Sequence, residues 1–274
     1  MQLPSHFWSD LTTRQFAQLA ASQEIAQVVA VLPVAATEQH GPHLPVSVDT
    51  TLVDGVVNAS LRHLPADLPA LFLPTQQIGK SNEHIRFPGT LTLSAQTVIS
   101  LWMDIGSSVA RSGIKKLVLL NSHGGQASIM DIVARDLRTE HDLIVYSANW
   151  YNLPLGDAVM GLFPAAEHRF GIHAGEIETS MMLALRPDVV EMAQAQNFAS
   201  TSEDRAKAYP ILGNGKSAKL GWQMQDYNAA GAVGNAAAAT AEKGRAVLDA
   251  AGRALALMLS ELHALPLETL VNRC

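Results

Sequence analysis

The chain has 274 residues, of which 48% are hydrophobic and 16% charged, and a net charge of -6. That mix excludes a disordered chain, and the length lets one α/β unit bury about three quarters of its unfolded surface. No run of Lys or Arg is present, so neither a nucleic-acid partner nor an anionic membrane has an electrostatic footprint.

One cysteine, Cys274, cannot form an internal disulfide, which fits a reducing compartment. Residues 1–10 lack a charged start followed by an apolar run, and no apolar stretch reaches the roughly 20 residues of a spanning helix. A soluble, cytoplasmic protein is expected.

Four short apolar runs predict strands: residues 28–34, the weaker 68–73, 116–120 (KLVLL) and 143–147 (LIVYS). Continuous apolar runs suit strands covered on both faces, as in a parallel sheet. Helical patterns alternate with them. Residues 49–61 open with Asp49, Thr50 and Thr51, residues 94–111 carry Ser94 as an N-cap, residues 127–140 follow Gly124-Gly125, and residues 176–185 end before Pro187. The βαβα alternation predicts an α/β fold, a single domain over residues 1–274 with a mainly parallel sheet flanked by helices on both faces. Residues 194–235 are rich in Gly, Asn, Ser and Lys with little period, and read as a surface excursion, a lid or an oligomer contact. The Ala-rich residues 236–265 predict a closing helix stopped by Pro266.

Three polar clusters interrupt this pattern. Glu38-Gln39-His40-Gly41-Pro42-His43 follows the first strand, with Asp49 at the start of the next helix. Ligands of open α/β sheets bind beyond the carboxyl ends of strands. Residues two apart in an extended segment point the same way, so Glu38 and His40 can share one metal centre or serve two adjacent ones. Asn121-Ser122-His123-Gly124-Gly125-Gln126 follows KLVLL; its glycines allow a tight turn, and no GKS/T motif supports a phosphate loop. His173-Ala174-Gly175-Glu176-Ile177-Glu178 starts a helix, where acidic residues also serve as dipole partners. Several His and carboxylates without Cys make a nitrogen and oxygen ligand set, suited to Zn²⁺, Mn²⁺, Fe²⁺ or Mg²⁺. Carboxylate-rich sites can hold two ions.

EQHGPHLPVSVDT at residues 38–50 closely resembles the signature of the creatininase (creatinine amidohydrolase) family. NSHGGQ at 121–126, HAGEIETSMM at 173–182, SNEHIRFPGTLTL at 81–93 and ATAEKG at 239–244 are similar to further motifs of that family, in family order. The resemblance implies an α/β fold with two divalent ions per chain, Zn, Mn or Fe. Glu38, Asp49 and His123 would hold one ion, and His40, Asp49 and Glu178 the other, with Asp49 bridging and Glu178 preferred over Glu176. His173 would be the proton-transfer residue. It also implies a homo-oligomer, a hexamer in many members.

Ser81, Glu83, His84, Trp150 and Tyr151 are candidate substrate or pocket residues, with Trp222 a further aromatic able to cover a flat substrate. The sequence departs from the family pattern in places. Creatininase itself carries a carboxylate two residues after the second-cluster His, where this chain has Gly125. Ser122 and Gln126 stand for Gly and Asn, and Gly234-Asn235-Ala236 for Gly-Asp-Pro. The expected activity is metal-dependent hydrolysis of a non-peptide C–N bond in a small molecule. The alternatives are a deformylase of a formamidopyrimidine-type intermediate, a hydrolase of another cyclic metabolite, and a metal-retaining binding or assembly protein without catalysis.

Overall fold

The computed structural model describes residues 3–271, so Cys274 lies outside the described residues. Its centre is a four-stranded parallel sheet: β1 (Val29–Val34), β2 (Ala70–Phe72), β3 (Lys116–Asn121) and β4 (Ile144–Asn149), in the order β2-β1-β3-β4. The helices are α1 (Thr13–Ala21), α2 (Val48–Leu61), α3 (Ala95–Arg111), α4 (Ala127–His141), the short α5 (Asp157–Met160) and α6 (Ala165–Phe170), α7 (Glu176–Leu185), α8 (Thr201–Ala208) and α9 (Ala241–Ala264). A small antiparallel pair joins β5 (Asn197–Phe198) to β6 (Gly234–Asn235). No helix among the described residues is long and apolar enough to cross a membrane.

Strand periodicity explains the layers. Successive strand side chains point to opposite faces. Val29, Val31, Val118 and Leu120 enter a core with α2, α7 and α9, while Ala30, Leu32, Leu117 and Leu119 enter a second core with α1, α3 and α4. Both faces are dry over β1 and β3, which is why those strands read as continuous apolar runs, while the edge strand β4 leaves Tyr146 exposed. The chain leaves β1 through α2 to reach β2 on one side, then crosses by α3 to β3 on the other. β1 and β3 therefore flank a topological switch point, with Val34 and Asn121 paired at its carboxyl edge.

Two sequence readings shift. The closing helix starts at Ala241, because Thr240 caps it by accepting from the Lys243 N–H, while residues 236–238 form a separate 3-10 turn. The region read as a surface excursion folds back in part. Phe198, Met224, Ala232 and Val233 are buried, and Val233 bridges to His173. Its Tyr209, Ile211, Leu212 and Leu220 remain exposed.

Candidate metal centre

The switch point collects the three polar clusters. Glu38 and His40 leave the end of β1, Asp49 sits in the first turn of α2, His123 follows β3, and His173 and Glu178 flank the start of α7. Glu38, His40, Asp49, His123 and His173 are all buried. Glu38 Oε1 lies 3.2 Å from His123 Nδ1, 3.5 Å from His84 Nε2 and 3.8 Å from His173 Nδ1. His40 Nε2 faces Asp49 at 3.6 Å, Glu178 at 3.9 Å and Glu38 at 4.0 Å. Asp49 Oδ2 is 3.5 Å from His123 Nδ1.

Side chains behind these groups fix their direction. His40 Nδ1 is 3.0 Å from the Glu38 carbonyl, His123 Nε2 is 2.9 Å from the Lys80 carbonyl, and His173 Nε2 is 2.8 Å from the Gln39 carbonyl. Outer partners of this kind orient the opposite ring nitrogen toward a metal. Glu83 adds a carboxylate 3.2 Å from His123 Nε2. Ser81 donates to Glu38 Oε2. The Ala174 N–H donates to Glu178 Oε2 at 2.6 Å, from a backbone with φ of 53°, a left-handed conformation costly for a residue with a Cβ.

The electrostatics ask for a cation. Burial opposes ionisation of Glu38, but the His123, His84 and His173 rings hold its carboxyl well below the usual range. Burial, then the Asp49 charge, pushes Glu178 up to about 7 against the pull of His40. His40 resists charging through burial, yet the carboxylates of Asp49, Glu178 and Glu38 drive it to about 9. His173 is held well below the ordinary range by burial and by His40 and His84. His40 Nε2 and Asp49 Oδ2 are buried without a hydrogen-bond partner. Buried orphan groups of this kind are expensive. The residues therefore fit a metal: Glu38, His40 and Asp49 form one group of donor atoms, His40, His173 and Glu178 another, all within 4.8 Å of one another inside each group.

The remaining candidates divide. Glu176 turns away from the centre to an ion pair with Lys243, in the ATAEKG run, and Glu178 turns in. Trp150 is buried and its indole N–H donates to Ser122 Oγ at 3.0 Å. Tyr151 is exposed, with its hydroxyl 3.8 Å from where a Cβ at Gly124 would stand, and burial of that hydroxyl, then the Asp49 and Glu178 charges, pushes its pKa above the ordinary value. Trp222 stands edge-on to His84, with centroids 6.1 Å apart. The His84 and His173 rings lie tilted at 32° with centroids 4.3 Å apart, and His173 and His40 at 34° with centroids 4.2 Å apart.

Two residues escaped the sequence reading. Glu167 of α6 is buried and accepts from the Glu176 N–H at 2.6 Å and the Asn235 N–H at 3.0 Å, tying the start of α7 to β6. No local pattern marks it, because one partner lies in the next helix, α7, and the other in the distant β6. Gln39 lies inside the first motif, yet only the fold shows that it touches His84 and His173.

A parallel α/β sheet with a buried cluster of imidazoles and carboxylates at its switch point defines a metal-binding α/β protein. The family model described as creatininase, creatinine amidohydrolase, matches residues 9–259, and the chain belongs to the creatininase family, a family of hydrolases. It is 28% identical to the creatinine amidohydrolase of Pseudomonas putida over 270 residues, 94% of this chain and 97% of that one. It is 31% identical to the mycofactocin precursor peptide peptidase of Mycobacterium ulcerans, over 79% of this chain and 78% of that one. The match to the corresponding peptidase of Mycolicibacterium smegmatis, 32% identical, spans 58% of this chain and 59% of that one. A crystal structure of creatininase superposes with a TM-score of 0.74 at 28% identity, covering 94% and 98% of the two chains.

Proposed function

We propose that this protein hydrolyses an amide-type, non-peptide C–N bond of a small molecule at a centre of two divalent ions. The observation that carries the reading is the pair of buried, unpartnered atoms, His40 Nε2, which faces Asp49 Oδ1 at 3.6 Å, and Asp49 Oδ2, which faces His123 Nδ1 at 3.5 Å. Glu38, Asp49 and His123 would hold one ion and His40, Asp49 and Glu178 the other, as zinc, manganese or iron. Bound there, the ions supply Lewis acidity toward a carbonyl oxygen and a lowered pKa for water.

The chain's own groups supply the rest. His173 Nδ1 accepts a proton from the attacking water and returns it to the leaving nitrogen, so that a C–O bond forms as the C–N bond breaks. Ser81 and Glu83 hold Glu38 and His123 in place. Tyr151 and Trp222 border the centre as aromatic contacts for a flat substrate. Trp150 acts from below, by fixing Ser122 next to His123. A homohexamer in the cytoplasm completes the reading; light scattering on the purified protein measures the first of these.

One observation favours a substrate other than creatinine. A Cβ at Gly125 would meet Glu83 Oε1 at 1.7 Å and His123 Nε2 at 2.5 Å. Glu83 occupies the space that the creatininase carboxylate at this position would need. A formamide or a precursor peptide is the second reading, and the peptide-processing relatives support the latter.

The test is metal content per chain, by elemental analysis of wild type and Asp49→Ala, followed by turnover of cyclic amides, formamides and peptides. About two ions in wild type and a strong loss in the variant are expected. No bound metal after reconstitution would sink the mechanism.

A further inference from the structure

Four buried imidazoles line the centre, and the outward nitrogen of each decides what it presents inward. A backbone carbonyl only accepts. With a cation in the centre, the outward nitrogens of His40, His123 and His173 therefore carry the proton, and their inward nitrogens are lone pairs. His84 breaks this pattern. Its outward Nδ1 lies 2.7 Å from the side-chain nitrogen of Gln39.

The orientation of the Gln39 amide is fixed from both ends. Its Oε1 accepts from the Gly41 N–H at 2.9 Å, and its Nε2 donates to the Gly231 carbonyl at 2.9 Å. Turning the amide over would set oxygen against oxygen and N–H against N–H. An amide nitrogen has two hydrogens: Gly231 takes one and His84 Nδ1 the other. The 3.2 Å approach of the same nitrogen to His173 Nε2 is thus a contact between two donors whose hydrogens are directed elsewhere. His84 Nδ1 is an acceptor, so the ring's proton sits on Nε2, 3.5 Å from Glu38 Oε1. His84 belongs to a group with Glu38 and His173 that is near enough to ligate a cation, but a protonated inner nitrogen has no lone pair to give.

We propose that Gln39 makes the adjacent rings of His84 and His173 present opposite chemistry to the centre, an N–H from His84 and a lone pair from His173. Gln39 is the positioning residue: its backbone carbonyl holds His173 and its side-chain amide holds His84. Resting on the hydrolase reading, the His84 Nε2–H donates to the oxyanion that develops on the scissile carbonyl, while the His173 Nδ1 handles the proton. Donors aimed at a developing oxyanion each contribute roughly 10²–10³ in kcat.

The experiment is two-bond ¹H–¹⁵N NMR of histidine-labelled, zinc-loaded protein, which separates protonated from unprotonated ring nitrogens. In wild type, His84 is expected with a bare Nδ1 and a protonated Nε2. Gln39→Glu cannot donate and should move a proton onto His84 Nδ1. Should that variant fail to fold, Gln39→Met, which has no donor, is expected to broaden or shift the His84 Nδ1 signal. A protonated Nδ1 in wild type, or a His84 pattern untouched by these variants, would overturn the proposal. In turnover assays, His84→Ala should lower kcat by roughly 10²–10³ with metal content unchanged, and His84→Gln, whose amide N–H reaches the same place, should recover part of it. Loss of metal in His84→Ala would make His84 a ligand and end the proposal. If no substrate turns over in wild type, the hydrolase reading falls while the NMR result still decides what Gln39 does.

Discussion

The two ends of β3 bury polar groups to opposite effect. At the amino end, Lys116 is fully buried, its Nζ 2.8 Å from Gln27 Oε1 and 2.6 Å from the His263 carbonyl near the end of α9. Burial lowers its pKa, and neutral acceptors meet the ammonium. Beyond the carboxyl end, His123 enters a crowd of carboxylates in which Asp49 Oδ2 and His40 Nε2 have no partner. Burial, then Glu38, raises the Asp49 pKa. A buried charge with its hydrogen bonds made ties elements together. A crowd of buried carboxylates and imidazoles with orphan atoms is unfavourable until a cation arrives, and such local cost concentrates at functional sites.

Metal removal should break that contrast most strongly. Chelation is expected to lower the wild-type melting temperature by roughly 10 °C, since ligand binding to the folded state adds several kcal/mol. Metal-free Asp49→Asn should melt at or above metal-free wild type, because one of the crowded carboxylates is gone. Differential scanning calorimetry reads both, and an unchanged melting temperature on chelation would refute the unfavourable apo centre. At the other end, Lys116→Met keeps the aliphatic stem and leaves two buried acceptors bare. A loss of about 2–3 kcal/mol in urea unfolding is expected, with unchanged metal content. A fall in bound metal would show that the two ends are coupled.

A smaller change acts inside the centre. Gly125→Ala places a Cβ against Glu83 Oε1 and pushes that carboxylate off His123 Nε2. Outer partners of metal-binding His are worth roughly 10–100-fold in affinity, and chelator competition should show that loss. An unaltered affinity would mean that Glu83 does not support His123.

The sheet was legible because its signal is local: β1 and β3 are covered apolar runs whose alternate residues feed two cores, while β4, an edge strand, is apolar at its start and open at Tyr146. The site was legible through motif strings, each at the end of a strand or the start of a helix. What the sequence could not show is what each side chain faces. Ser81 reads as a pocket residue and turns out to hold Glu38, over a separation of 43 residues. Glu176 and Glu178 lie two apart on one helix turn; the resemblance preferred Glu178, and the ion pair of Glu176 with Lys243 on α9 gives the physical reason that Glu176 faces away. Gly231, Ala232 and Val233 look like loop, yet they supply the Gln39 acceptor and the bridge to His173. Contacts between distant segments with no periodicity leave no mark on either segment alone.

The smallest predicted effect lies at the border of the two regimes. His43 is buried three residues after His40, but it faces no carboxylate: Nε2 lies 2.9 Å from Thr179 Oγ1, and the ring stacks on Phe198 at 5.5 Å. Burial, with help from His40, lowers its pKa from 6.5 to about 4. Between these values the unfolded chain takes up a proton that the folded protein refuses. The stability from neutral His43 is thus present above pH 6.5 and lost as pH falls through about 4. At pH 5.5 the loss should be about 1 kcal/mol. Urea unfolding of wild type and His43→Gln at pH 7 and pH 5.5 isolates it, since metal-ligand protonation is common to both proteins and cancels in the difference. Wild type should lose about 1 kcal/mol more than the variant. Equal losses would mean that His43 charges as readily in the fold as outside it, and that an imidazole here needs no carboxylate to be protonated.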